Sequence, residues 1–382
     1  MSDFLVVGAG AVGMLTALAL RQRGYAVTLV ERQSAGRESS WAGGGILSPL
    51  YPWHYPQAVN ALAQRSQQLY PALAQSLLAE TGIDAELLGS GLLMLDDVAG
   101  QESAAGTSAS KALDPLSWAV DCGADLARID AGEIKAVQGG IGMQSASAWW
   151  MPQVMQVRNP RLLRALRAAL DVHGVRLLEQ AELENLEIIA GRVCGGRISG
   201  RRMAFDALVL SAGAWSAQVL QGMDLATPSP PAIEPVRGQM MVLNAPGSGL
   251  QRIVMAQGRY LIPRKDGRIL VGSTVEYAGF DKTTTADARE ALLAFAHALF
   301  PALRPAPVEA HWAGLRPGSP QGVPYIDRHP QLANLYIHAG HFRNGLVMGP
   351  ASTELLLQRI EGESSGMDAS PYAWDGERQG KR

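Results

Sequence analysis

Phe4-Leu5-Val6-Val7-Gly8-Ala9-Gly10-Ala11-Val12-Gly13 carries an apolar strand straight into a glycine-rich turn, and a second apolar run, Ala26 to Val30, closes on Glu31 eighteen positions after Gly13. Strand, tight turn, helix and a second strand ending in a carboxylate make up the opening unit of a Rossmann-like fold. Gly8 takes the backbone angles of the turn, Gly10 lets the main chain approach a pyrophosphate, and Gly13 lets the helix pack closely on the strand. The helix N-terminus then faces the phosphates. Glu31 suits a ribose diol, because a carboxylate accepts both hydroxyl protons and repels a 2′-phosphate. The expected ligand is FAD or NAD, and not NADP.

Residues 4 to 20 are almost wholly apolar, as in a signal peptide or a membrane span. Asp3 stands where basic residues belong, Arg21 and Arg23 follow the segment, and three glycines interrupt it. These features fit a buried strand-turn-helix unit, so a soluble cytoplasmic protein with no membrane partner is expected. The 382 residues suffice for two intimately connected domains, and a hydrophobic fraction of 47% fills a sizeable core. A formal net charge of −2 offers no electrostatic case for nucleic acid. Cys122 and Cys194 form no CxxC pair, and the seven histidines fall in no HExxH pattern. A reducing compartment and no protein-ligated metal follow.

Outward from the first unit, Glu38-Ser39-Ser40-Trp41-Ala42-Gly43-Gly44-Gly45-Ile46 is too glycine-rich for a helix core and too apolar for a linker. Its amides suit close approach to a ligand. Residues 58 to 81 read as a helix with Ala61, Leu62, Leu69, Leu73 and Leu77 on one side. Gly100 to Ser110 reads as a mobile surface loop. A helix from Asn159-Pro160 leads to a strand at Val175 to Leu178, and the strand Phe205 to Leu210 runs into a small-residue turn at Ser211 to Ser216. From 236 to 320 the pattern changes to alternating strands, with a Lys265-Asp266-Gly267 turn between Tyr260-Leu261-Ile262-Pro263 and Arg268-Ile269-Leu270-Val271. Gly139-Gly140-Ile141-Gly142 reads as a loop and Gly195-Gly196 as a hairpin turn. The fold class is α/β: a Rossmann-like nucleotide-binding domain, discontinuous in sequence, with a second α+β domain built on an antiparallel sheet. The expected division is 1–87, 156–220 and 321–368 for the first domain, 88–155 and 221–320 for the second, and 369–382 for a polar tail. No second GxGxxG follows a strand, so one redox cofactor is expected.

His311-Trp312-Ala313-Gly314-Leu315-Arg316-Pro317-Gly318 and His338-Ala339-Gly340-His341-Phe342-Arg343-Asn344-Gly345 each set an arginine among glycines in apolar surroundings. A buried guanidinium needs an anion, and its fork matches a carboxylate. Arg316 is the candidate for a substrate carboxylate; pairing with an internal Asp or Glu is the competing reading. Pro350-Ala351-Ser352-Thr353 reads as a helix start. Such a helix end, or His341, would stabilise negative charge on a reduced flavin ring.

The GAGAVG start, the SSWAGGGI segment, GRYLIPRKDGR, HWAGLRPGSPQGVPYI and GHFRNGLVMGPAS together resemble the FAD-dependent glycine oxidases of thiamin biosynthesis, within the D-amino acid oxidase family. The likeness covers nearly the whole chain except the 100–115 loop and the tail after Gly362. It implies a non-covalent FAD, oxidative deamination of glycine, sarcosine and small D-amino acids, O2 as acceptor, and imine delivery to a thiazole synthase. It also implies a homo-oligomer, since relatives are often tetramers. By position, Arg316 and Tyr260 hold the substrate carboxylate and Arg343 lies close to flavin and substrate. The expected cofactor contacts are Gly8, Gly10, Ala11, Val12, Gly13, Glu31 and Arg32; Ser39, Ser40, Ala42, Gly43, Gly44, Gly45 and Ile46; Leu183, Ala212, Gly213 and Trp215; and His341, Arg343, Asn344, Gly345 and Leu346. Gly258 replaces a histidine of a relative and Val275 a methionine, which predicts an altered wall of the active site.

Hydride transfer from an amino acid Cα needs a neutral amine and a clamped carboxylate, and needs no base to remove a Cα proton. No Ser-His-Asp or paired-carboxylate arrangement is visible. Rival readings are a D-amino acid dehydrogenase passing electrons to a quinone, a non-catalytic flavin-binding protein, and a tRNA-modifying oxidase.

Overall fold

The computed structural model describes residues 3–96, 113–223 and 231–374; the loop expected at Gly100 to Ser110 lies outside them. Two large sheets share the chain. The first has six strands in the order 325–328, 335–339, 207–210, 3–7, 26–30 and 176–178, parallel except for the edge pair 325–328 with 335–339. Its central strands are continuous apolar runs because helices cover them on the face where Met14, Leu18, Leu166, Leu170, Val347 and Leu356 pack.

The second sheet has eight strands in the order 308–318, 234–244, 268–272, 259–263, 253–256, 92–95, 147–151 and 127–130. All its pairs are antiparallel except 253–256 with 92–95, which run parallel. On one face, Met241, Leu243, Leu261 and Val271 meet Leu292, Phe295 and Leu299 of the helix Ala286–Leu299. Each such large side chain stabilises the fold by about 2 kcal/mol on burial. The other face, carrying Met240, Tyr260 and Ile262, turns toward the parallel sheet.

Three expectations are corrected. Gly195 and Gly196 do not form a turn; they lie inside the strand Arg192–Ile198 of a separate three-stranded sheet. A Cβ on Gly196 would stand 2.5 Å from the Asn185 carbonyl oxygen, so the glycines there serve close strand approach beside a register shift. The final long helix begins at Gly345, five residues before the expected proline, and runs to Glu361 with Pro350 inside it. Pro350 has no N–H for the Leu346 carbonyl, and the Tyr70 hydroxyl donates to that carbonyl instead at 2.6 Å. The start of the expected polar tail is anchored: Tyr372 is buried and its hydroxyl donates to the Ala58 carbonyl at 2.8 Å.

Candidate active site

Between the two sheets lies a cavity of about 500 Å³. One end is the glycine turn. The helix Ala11–Gln22 starts after Gly10, which supplies no side-chain cap; Ser40 Oγ takes the Ala11 amide, and Gly10 and Val12 bring the positive helix end to the cavity wall, where it suits an anion. Gly8 has φ +102°, and a Cβ there would stand 2.5 Å from the Ser211 carbonyl oxygen. Glu31 accepts from the amides of Ala9 at 2.9 Å and Gln33 at 3.0 Å, which fixes its carboxylate at the cavity edge. Beside it the Arg32 guanidinium stacks on Trp215, 4.1 Å from the ring centroid, and Phe280 packs against the same indole.

The middle of the cavity is the segment from Ser39 to Ile46, one helical turn and then extended chain. Three distant side chains fasten it, Trp312 by donating from Nε1 to the Ala42 carbonyl at 3.0 Å. Asn159 donates to the Ser40 carbonyl at 2.8 Å, and the buried Arg264 donates to the Gly44 carbonyl at 2.8 Å. A Cβ on Gly45 would stand 2.1 Å from the Val157 carbonyl oxygen.

The far end holds Arg316 and Arg343. Arg316 lies on the strand Val308–Gly318 opposite Val236, and its guanidinium lies over Gly238, whose added Cβ would meet Nη1 at 2.2 Å. Arg316 donates to the carbonyls of Thr274 at 3.1 Å and Arg237 at 3.3 Å and to Ser273 Oγ at 2.8 Å. Among the described residues, no carboxylate pairs with it. Burial, and then the nearby Arg343, push its pKa down to about 10, so it stays cationic at neutral pH. Tyr260 stands on the strand Arg259–Pro263 of the same sheet, its ring over Gly272, and among the described residues its hydroxyl has the Met240 sulfur at 3.8 Å as partner. His341 is buried with Nε2 3.1 Å from Ser352 Oγ, and burial lowers its pKa to about 3. It is neutral.

The cavity brings together Arg316, Tyr260 and Arg343 with all but two of the expected cofactor residues. Ala11 and Gly13 do not line it. The Ala11 amide is taken by Ser40 Oγ at 3.0 Å, and Gly13 lies against the turn, where a Cβ would sit 1.8 Å from the Gly8 carbonyl oxygen. Gly258 and Val275 do not line it either: Gly258 turns a hairpin at φ +68°. The earlier start of the final helix brings Asn344, Gly345, Leu346 and Val347 into the wall, where Pro350 would have been too far along. Gly238 and Met240 were not anticipated, since nothing local marks VRGQM as a site. Phe342, in the wall with φ +46°, was equally silent.

A strand-glycine turn-helix motif with a fixed carboxylate, joined to a substrate-sized chamber holding a cation, is the layout of a flavoenzyme. Residues 3–359 match the family model described as FAD dependent oxidoreductase (DAO). The chain belongs to this family. The glycine oxidase of Pseudomonas aeruginosa is 45% identical over 370 residues, 97% of each chain. A bifunctional protein ThiO/ThiG of Trichormus variabilis is 29% identical over 95% of this chain and 53% of its own length. The crystal structure of glycine oxidase from Geobacillus kaustophilus superposes with a TM-score of 0.87 at 27% identity, covering 98% of this chain and 99% of that one. The protein is an FAD-dependent amino acid oxidase.

The family's cofactor fits the chamber on its own chemistry. The helix end at Gly10 suits the pyrophosphate and Glu31 the ribose. Ser211 Oγ and Asn344 Nδ2, both on lining residues, are buried with no hydrogen-bond partner among the described residues. No helix among those residues is long and apolar enough to cross a membrane, and no group of His, Cys, Asp or Glu among them suits a metal.

Proposed function

We propose that the protein oxidises glycine, and also sarcosine and small D-amino acids, to the corresponding imine, with O2 as acceptor. The observation that carries this is Arg316: a half-buried cation on the wall of the cofactor chamber, aimed by backbone carbonyls and paired with no carboxylate among the described residues. A small α-amino acid carries the missing anion.

Arg316 binds the substrate carboxylate through its fork, and the Tyr260 hydroxyl donates to the same group. Arg343 and Asn344, at the start of the final helix, hold the flavin side of the chamber. Met240 and Leu346 give it apolar walls, which favour the neutral amine. His341, neutral and tied to Ser352, takes no proton from Cα. FAD, when bound, would supply the two-electron acceptor for the Cα hydride, with O2 as the terminal oxidant and hydrogen peroxide as its product. The imine hydrolyses to glyoxylate and ammonia or passes to a thiazole synthase, a link to thiamin supported by the ThiO/ThiG relative. This reading assigns 1–87, 156–220 and 321–368 to FAD and 88–155 and 221–320 to the substrate, in a cytoplasmic homo-oligomer.

Anaerobic titration of the holoprotein with glycine tests it. Bleaching of the flavin band, reversed by air with one peroxide formed per turnover, is expected. A flavin that glycine, sarcosine and D-alanine all leave oxidised would point to a non-catalytic flavoprotein. Bleaching that air fails to reverse would point to a dehydrogenase using another acceptor.

A further inference from the structure

Behind Arg316, away from the chamber, lies a second polar layer that the oxidation does not use. The three groups accepting from the guanidinium are the carbonyls of Arg237 and Thr274 and the hydroxyl of Ser273. All of them are tied to Glu276 or lie within three residues of it. The Glu276 and Arg237 main chains exchange both hydrogen bonds, at 2.8 and 2.9 Å. The Glu276 carboxylate accepts from Arg237 Nε at 2.9 Å, from Gln239 Nε2 at 2.9 Å, and from the Thr274 hydroxyl. Gln239 is fully buried and its main-chain N–H donates to Thr274 Oγ1 at 2.8 Å. Arg237 also pairs with Asp281.

The charges in this layer sum simply. Glu276 and Asp281 surround Arg237 and leave one negative charge over, facing Arg316 from behind without touching it. A carboxylate placed directly on Arg316 would fill the fork; one set a layer back offsets the cost of burying the cation and leaves the fork open.

We propose that Glu276 is a positioning residue for the substrate carboxylate: it locks the groups that aim Arg316 and supplies the counter-charge that keeps the guanidinium available to an anion. This rests on the reading of Arg316 as the carboxylate anchor. Loss of the Glu276 charge lets Arg237 turn and Thr274 shift, so anion binding falls while the flavin side stays intact. The hydrogen bonds made to Glu276 outweigh the burial that opposes its charge and hold its carboxyl below the ordinary value, so it is ionised at neutral pH.

The test uses glycolate, a carboxylate with no amine to oxidise, titrated into holoenzyme and followed by the change in the flavin spectrum. The proteins are wild type, Glu276→Gln, Arg316→Ala and the double variant. Glu276→Gln is expected to raise the glycolate Kd and the glycine KM together by about tenfold, or about 1.4 kcal/mol, with kcat and FAD content unchanged. In the Arg316→Ala background the same change should have no further effect. An unchanged Kd in Glu276→Gln, or an equal loss in both backgrounds, would make Glu276 merely structural and overturn the proposal. Glycolate binding in Arg316→Ala equal to wild type would instead remove the anchor itself. Should Glu276→Gln not fold, Glu276→Asp keeps the charge and shortens the reach. An elevated Kd with normal kcat then supports positioning, and wild-type binding overturns it.

Discussion

At the nucleotide end of the cavity, glycine lets main chain meet main chain: a Cβ on Gly13 would overlap the Gly8 carbonyl oxygen at 1.8 Å. At the substrate end, glycine lets side chains lie on main chain: a Cβ on Gly238 would meet the Arg316 guanidinium at 2.2 Å, and one on Gly272 the Tyr260 ring at 2.5 Å. The first overlap is between two parts of the backbone, neither of which can retreat. The second is with the free ends of side chains, which can. Substitutions should therefore fail as folding and cofactor defects at one end and as graded binding defects at the other.

The largest effect is expected at Gly13. Gly13→Ala should destabilise the protein by about 3 kcal/mol and yield chain without FAD, seen as a lowered melting temperature and flavin-to-protein ratio; full FAD content at the wild-type melting temperature would break the contrast. Next comes Arg316→Ala, which should raise the glycine KM by about 100-fold, near 3 kcal/mol, with FAD still bound. Release of FAD from that variant would make Arg316 a structural residue. Gly238→Ala should displace the guanidinium without removing it, raising KM by about tenfold. An effect on FAD affinity larger than that on KM would erase the distinction between the two ends.

Two pH experiments sharpen the contrast with smaller effects. The Arg316 pKa is lowered to about 10, so the anchor loses its charge as pH rises through that value. Glycolate binding should be flat near neutrality and weaken above about pH 10. His341 titrates in the folded protein only at about 3, against the ordinary value of 6.5. Between those values the unfolded chain binds more protons, so stability rises with pH across the window and is lost as pH falls through it. His341→Asn should shallow that slope in melting-temperature measurements, while a slope identical to wild type would assign it to other groups.

What the sequence made legible follows the same divide. The turn at Gly8 to Gly13, the Glu31 carboxylate and the hairpin at Lys265 to Gly267 are set by neighbours in the chain, so local pattern suffices. Gly238 meets Arg316 from a different strand, and Gly272 meets Tyr260 only through sheet register, which no local pattern encodes. Arg316 and Tyr260, which line the cavity, are marked in the sequence, one as a cation among apolar residues and the other by resemblance alone. Gly195-Gly196 misled because a glycine pair marks tight backbone approach as well as turns. Pro350 misled because its missing donor is compensated by Tyr70, a residue 280 positions earlier.

That compensation divides the final helix into two cooperative units. Pro350 removes a rung of the ladder between the first turn and the rest, and the Leu346 carbonyl is secured by Tyr70 while Ser66 accepts from the Ala351 amide at 2.9 Å. Both partners belong to the helix Gln57–Thr81. The turn that walls the cofactor chamber therefore gains its protection against opening from a neighbouring helix rather than from its own. Fraying of the helix Gln57–Thr81 should therefore expose that first turn to hydrogen exchange along with it, while the later turns keep the protection of their own ladder.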